Sequence, residues 1–230
     1  MEENSLLAGI LVVDKEKGMT SHDVVQIVRK RFSIKKVGHA GTLDPNATGV
    51  LVLLLGRATK LSNTYLSEEK EYEATMKLGE RTDSADSDGE VIHTAEVKCS
   101  AEDIAEVLEC FKGETEQVPP MVSAKKINGE RLYKLARRGI EVERAPQKIF
   151  IKKLDRLDVD IPFVKISVAC SKGTYIRQLA DDIGEKLGCG AHLSELRRTR
   201  SGSFTIEQAV PFEKLRGMNR KELDENIIRV

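Results

Sequence analysis

From Gly9 to Asp14 the chain is apolar almost without interruption, a run of strand length that predicts a buried strand. Thr20 and Ser21 then cap an amphipathic helix whose apolar positions are Val24, Val25, Ile27, Val28 and Phe32. A loop rich in Gly, Thr, Asn and Pro spans Gly38–Gly49 and runs into Val50–Leu55, a second buried strand. After a short helical piece over Ala58–Leu66, the alternation of Tyr72, Ala74, Met76 and Leu78 with more polar residues predicts a half-buried strand. Asp83–Gly89 reads as a turn. Ser100 with Asp103 opens a helix carrying Ile104, Val107, Leu108 and Phe111, which Gly113 closes.

Beyond that helix, Gln117–Ile127 is Pro-bearing and extended, and a short helix is expected over Glu130–Arg138. Strands follow through Ile149–Ile151 and Val164–Val168. Ile176, Leu179, Ala180, Ile183 and Leu187 then share one face of a helix that ends at Gly188. Strands and helices are mixed rather than strictly alternating, so the expected class is α+β, with a mixed, largely antiparallel sheet flanked by helices and loops. No repeat, linker or shift in composition interrupts 1–210, which reads as one domain, and 211–230 reads as a short tail.

At 40% hydrophobic and 32% charged, the 230 residues have the make-up of an ordinary globular protein. Without a 20-residue apolar run or a basic leader, a cytoplasmic location is expected. Cys99, Cys110, Cys170 and Cys189 lie far apart, and the histidines lack metal-ligand spacing, so no metal is expected. The acids of Asp83–Gly89 superficially resemble a calcium loop but lack its distant bidentate Glu. No glycine-rich phosphate cradle is present, so chemistry is expected to come from side chains without a nucleotide cofactor.

The formal net charge is zero, which at first argues against a nucleic-acid partner. Its distribution argues otherwise: Lys125–Lys153 carries ten Lys or Arg against three Glu, whereas Thr82–Gln117 carries eleven acids against two Lys. A basic face can therefore sit on a neutral protein.

The loop Gly38–Gly49 brings together Asp44, His39, two threonines and three glycines, a composition suited to close approach of a ligand. Read locally, Asp44-Pro45-Asn46 is equally a β-turn with Asp at its first position and Pro at its second. The motif Gly41-Thr42-Leu43-Asp44-Pro45 with Ala47-Thr48-Gly49 resembles the catalytic motif of TruB-type pseudouridine synthases. Four further blocks resemble that family in its order: Asp14–Asp23, Lys70-Glu71-Tyr72, Gly173-Thr174-Tyr175-Ile176-Arg177, and Gly190–Leu193 leading to Leu196-Arg197-Arg198.

The resemblance implies the pseudouridine synthase catalytic fold and isomerisation of a uridine, uridine 55 in the T-arm loop of tRNA, to pseudouridine. The C1′–N1 bond breaks, the uracil rotates, and it rejoins through C5. Asp44 is the implied essential carboxylate, acting as nucleophile or base. Arg177 is its implied cationic partner, although Asp181 at i+4 is a local alternative for the same side chain. Tyr72 is implied to stack on the flipped base, Tyr175 and Leu196 to wall the pocket, and His39 to contact the RNA. Lys15 and Arg197 or Arg198 are implied phosphate contacts, and the basic segment 118–153 a thumb closing on the T-arm stem-loop.

Two departures from the family accompany these matches. Glu16 stands where a proline is common, and the small C-terminal PUA-type module into which bacterial relatives commonly continue is expected to be missing after Val230. A monomer working on tRNA is expected. The alternatives are a guide-RNA-dependent synthase of the same family and a tRNA-folding chaperone.

Overall fold

The computed structural model describes residues 8–230 except 124, 128 and 137. Met1–Asn4 of the expected leaderless start and Ala124 and Arg137 of the basic segment thus lie outside the described residues. In chain order the elements begin with β1 (Ala8–Lys15), α1 (Ser21–Arg31), β2 (Val37–His39), β3 (Thr48–Gly56), α2 (Ser62–Leu66), β4 (Lys70–Leu78), β5 (Glu80–Thr82), β6 (Val91–Thr94), α3 (Ala101–Cys110) and β7 (Gly113–Gln117). They continue with β8 (Lys126–Ile127), β9 (Glu130–Arg131), α4 (Leu132–Ala136), β10 (Gln147–Asp160), β11 (Phe163–Cys170) and α5 (Ile176–Lys186). The last are β12 (Ala191–Ser201), β13 (Phe204–Thr205), β14 (Val210–Pro211), α6 (Phe212–Gly217), α7 (Arg220–Asn226) and β15 (Ile228–Arg229). The class is α+β, and its strand pairing is mostly antiparallel, as the pattern predicts.

The chain forms two compact units, the first from residues up to Tyr72 with Leu196–Val230, the second from Glu73–Glu195. In the first unit β1 runs antiparallel to β3 from Ala8↔Gly56 to Lys15↔Gly49. Both strands are covered on two faces, which is why their sequences are continuously apolar rather than alternating. Leu11, Val13, Leu51, Leu53 and Leu55 face Val24, Val25 and Val28 of α1, while Ile10, Val12, Val50, Val52 and Leu54 face Ala58 and Phe204. Thr20 caps α1 through a reciprocal pair of bonds with Asp23, at 3.1 and 2.9 Å.

The expected tail belongs to the core of this unit. Phe212, Leu215, Met218 and Leu223 are buried in the α1 cluster, β14 lies parallel to β1, and β15 adds to β1 through Gly9↔Arg229 and Ile10↔Ile228. Four apolar anchors at irregular spacing give little periodicity for a sequence reading to detect.

In the second unit β4, β11, β10 and β7 are neighbours in that order. β10 pairs antiparallel with β7 from Gln147↔Gln117 to Ile151↔Gly113. α3 buries Ile104 and Leu108, and α5 buries Leu179, Ala180 and Ile183. In the basic segment the expected Glu130–Arg138 helix is shorter, Leu132–Ala136, and is preceded by the β8–β9 hairpin. No helix among the described residues is long and apolar enough to cross a membrane.

Candidate active site

Asp44 sits half-buried in the loop between β2 and β3, and its neighbours on both sides are fixed by side chains from other elements. Ser21, the first residue of α1, accepts from the Leu43 N–H at 2.8 Å and donates to the Leu43 carbonyl at 3.1 Å. The Pro45 carbonyl accepts from the Gly18 N–H at 2.9 Å and from Lys15 Nζ at 3.1 Å. The Ala47 N–H donates to the Asp44 carbonyl at 3.1 Å, so the local turn reading and the catalytic motif describe the same backbone.

Arg198 ties down the two ends of this loop. Its Nε donates to the Val50 carbonyl at 2.7 Å, Nη2 to Gly41 at 3.1 Å and Nη1 to Thr42 at 3.4 Å. The loop needs glycine where it passes that arginine: Gly41 and Gly49 both have φ of +98°, and a Cβ on Gly49 would lie 2.2 Å from the Arg198 carbonyl oxygen. The backbone that carries the Asp44 carboxylate is thus held by contacts on both sides of it.

Of the implied phosphate contacts, Lys15 is fully buried, and Arg198, the alternative to Arg197, is 1% exposed. Lys15 gives its remaining hydrogen bonds to the Glu16 and Met19 carbonyls, both at 2.8 Å. Charged residues are normally exposed unless paired, and nothing in the sequence separates these two from surface cations. Arg197 keeps an exposed flank, with Asp14 held bidentately at 2.7 and 3.1 Å.

Burial, opposed in part by the Asp44 charge, pushes Lys15 down to about 8. The unfolded chain then holds more protons than the folded one between about 8 and the ordinary lysine value near 10.5, so this group makes stability rise with pH across that window and contributes no slope below it. Urea unfolding of wild type and Lys15→Met from pH 7 to 10 should show the difference moving by about 2 kcal/mol in favour of wild type. A difference that stays constant over this range would exclude a buried ammonium.

His39 ends β2 half-buried, and its Nδ1 is among the buried atoms without a hydrogen-bond partner in the described structure. Burial, then the nearby Arg198 charge, lowers its basicity and favours the neutral imidazole. Tyr72 lies half-buried on β4, and Leu196 packs partly buried against the α1 core cluster.

In the second unit, Arg177 lies in the first turn of α5 and is 5% exposed. Its guanidinium pairs with Asp86 at 3.3 Å and donates to the Val122 carbonyl at 2.9 Å and the Ser84 carbonyl at 3.3 Å. Asp181, the local alternative, instead receives Arg81 at 2.7 and 2.9 Å. The acid-rich turn Asp83–Gly89 therefore has a structural use. Asp83 accepts from the Glu90 N–H at 3.0 Å, and Asp86 accepts from the Asp88 N–H at 3.1 Å while facing Arg177. Asp86 was missed by the sequence reading, because its segment was read as a turn and a calcium loop was set aside, neither of which points to a distant arginine. Tyr175 is the N-cap residue of α5 and is half-buried.

This α+β scaffold is that of the pseudouridine synthases. Among solved structures, it matches that of a Cbf5–Nop10–Gar1 complex at 32% identity and a TM-score of 0.75, covering 96% of this chain and 60% of that one. It matches an H/ACA RNP bound to a substrate RNA containing 2′-deoxyuridine at 29% identity and a TM-score of 0.71. The chain thus spans about 60% of the length of these solved relatives.

Residues 29–176 match the N-terminal domain of the TruB family pseudouridylate synthases, and residues 177–230 match the tRNA pseudouridylate synthase B C-terminal domain. The chain belongs to the TruB family. It is 50% identical over 226 residues to tRNA pseudouridine synthase B of Protochlamydia amoebophila, covering 98% of this chain and 85% of that protein. Against the Clostridium acetobutylicum protein of the same name it is 50% identical over 222 residues, covering 96% and 76%.

Proposed function

We propose that this protein converts a uridine in the T-arm loop of tRNA, uridine 55, into pseudouridine. The observation that carries the reading is the Asp44 loop, in which Ser21, Lys15, Gly18 and Arg198 fix the backbone on either side of one carboxylate. A side chain whose main chain is held from both directions keeps its direction when a substrate arrives, and holding a reacting group in place can supply several kcal/mol of a barrier. The substrate class comes from the relatives at 50% identity, both named as tRNA pseudouridine synthases.

The reaction needs no external reagent, since the base that leaves C1′ is the base that rejoins through C5. Asp44 acts as nucleophile or as base at the sugar, with Tyr72 and Arg177 completing the catalytic set. The target uridine is read after extrusion from its loop, with Tyr175 and Leu196 as apolar walls, His39 as a neutral RNA contact, Arg197 at phosphate, and the basic segment 118–153 clamping the stem. The protein acts as a monomer, without guide RNA or a partner protein.

The test is to incubate an unmodified tRNA transcript with the pure protein and map pseudouridine by carbodiimide treatment and primer extension. A single new stop in the T-arm loop is expected. Modification elsewhere, or only when a guide RNA is added, would refute this assignment of the substrate.

A further inference from the structure

Gln117 closes β7 and belongs to none of the motifs, yet it is 2% exposed and both ends of its amide are engaged. Its Oε1 accepts from the Tyr175 N–H at 2.9 Å, and its Nε2 donates to the Tyr175 carbonyl at 3.1 Å. Tyr175 is the N-cap of α5 and receives no capping bond from its own side chain, so the start of the helix is held from outside by this amide. Five residues past Gln117, the Val122 carbonyl accepts from Arg177 Nη2 at 2.9 Å. The stretch 117–122 therefore grips the Tyr175–Arg177 block at its backbone and at its guanidinium. On the neighbouring strand Gln147, paired in register with Gln117, donates to the Gly173 carbonyl at 2.7 Å and steadies the turn before it.

Burying a primary amide is costly unless its donor and acceptor are both satisfied, and here one residue's backbone satisfies both. Only a group that accepts and donates in one plane can do this. We propose that Gln117 is a positioning residue for pseudouridine formation, whose amide fixes the Tyr175 backbone in both directions and so sets the Tyr175 ring and the Arg177 guanidinium at the root of the basic segment. The inference rests on the function proposed above and extends it to a residue that touches neither RNA nor the reacting atoms.

The experiment measures single-turnover pseudouridine formation with enzyme in excess over an unmodified tRNA transcript, alongside filter binding and thermal melting, for wild type, Gln117→Met and Gln117→Glu. Gln117→Met keeps length but loses both bonds, and a displacement near 1 Å at a reacting group slows chemistry by about 100-fold, so a loss of about 30- to 100-fold in rate is expected with affinity within about threefold of wild type. Gln117→Glu keeps the acceptor, and when protonated it also regains a donor for the Tyr175 carbonyl. Its rate relative to wild type should therefore rise as pH is lowered from about 8 to about 6, where burial favours the neutral acid. Should Gln117→Met fail to fold, this pH profile decides the matter.

A folded Gln117→Met protein within about twofold of the wild-type rate, well inside the expected loss, or a Gln117→Glu ratio that does not change with pH, overturns the positioning role while leaving the proposed function intact. A wild-type protein that forms no pseudouridine overturns the proposed function and this inference with it.

Discussion

Asp44→Ala is expected to fold and to bind tRNA like the wild type while forming no measurable pseudouridine. The loop geometry leads to this result. The anchors of the loop meet the backbone of Leu43 and Pro45 and the carbonyls of Gly41, Thr42 and Val50, and the turn bond uses the Asp44 carbonyl rather than its carboxylate. Removing the carboxylate leaves these bonds in place but withdraws the charge that favours the buried Lys15 ammonium, so the protein should stay folded with a melting temperature lowered by about 2 to 4 °C. RNA affinity rests on phosphate contacts and stacking spread over many residues, and losing one negative charge beside an anion does not weaken it. Turnover should fall by about four orders of magnitude or more, the loss typical of deleting a group that does the chemistry rather than one that assists it. Single-turnover assay, filter binding and melting on the same preparation provide the check. Turnover at the wild-type rate in a folded Asp44→Ala protein would remove the basis of the functional assignment.

The fold was legible in the sequence wherever one physical signal dominated. The paired runs of β1 and β3 are buried on two faces and hence continuously apolar, and Thr20 with Asp23 and Ser100 with Asp103 form the capping boxes that open α1 and α3. Less legible were the elements whose burial is carried by polar or sparsely spaced residues. β12 hides Arg198 in an arginine-rich stretch that no alternation of apolar residues marks, and the last twenty residues are held by Phe212, Leu215, Met218 and Leu223 at spacings that suit no regular face.

For the proposed site, the family-like blocks single out Asp44, Tyr72, Tyr175 and Arg177 by residue type. What the motif conceals is the division of labour among the cations. Lys15, Arg177 and Arg198 look like equivalent positive charges, but Lys15 and Arg198 donate to backbone carbonyls in and beside the Asp44 loop, whereas Arg177 faces an aspartate in an acidic turn. Apart from the local bonds of Lys15 to the Glu16 and Met19 carbonyls, these roles rest on contacts such as Lys15–Pro45 and Arg198–Gly41, 30 and 157 positions apart, which no local pattern encodes.

Arg177→Met should lose activity and, more than Asp44→Ala, stability. The substitution leaves the Asp86 carboxylate without its cation and the Val122 and Ser84 carbonyls without a donor in a region where the arginine is 5% exposed. Stranding a largely buried charge costs more than a surface pair is worth, and since Asp86 retains 18% side-chain exposure a loss of about 3 kcal/mol is expected, near the low end for broken buried pairs. The same guanidinium belongs to the proposed catalytic set, and deleting a fixed charge of that kind slows chemistry by about 100- to 1000-fold. The two losses can be separated by measuring single-turnover rates at a temperature where the variant is fully folded. Arg177→Lys should recover part of the stability, because an ammonium can still face Asp86, but little of the rate, because it lacks the planar fork that serves an aspartate and two carbonyls together. Asp86→Asn tests the pair from its other side: it keeps the turn and removes the charge, so it should slow turnover through a misdirected Arg177 while costing less stability than Arg177→Met. If folded Arg177→Met and Arg177→Lys both turned over at the wild-type rate, Arg177 would be a structural residue of the second unit and no part of the catalytic set.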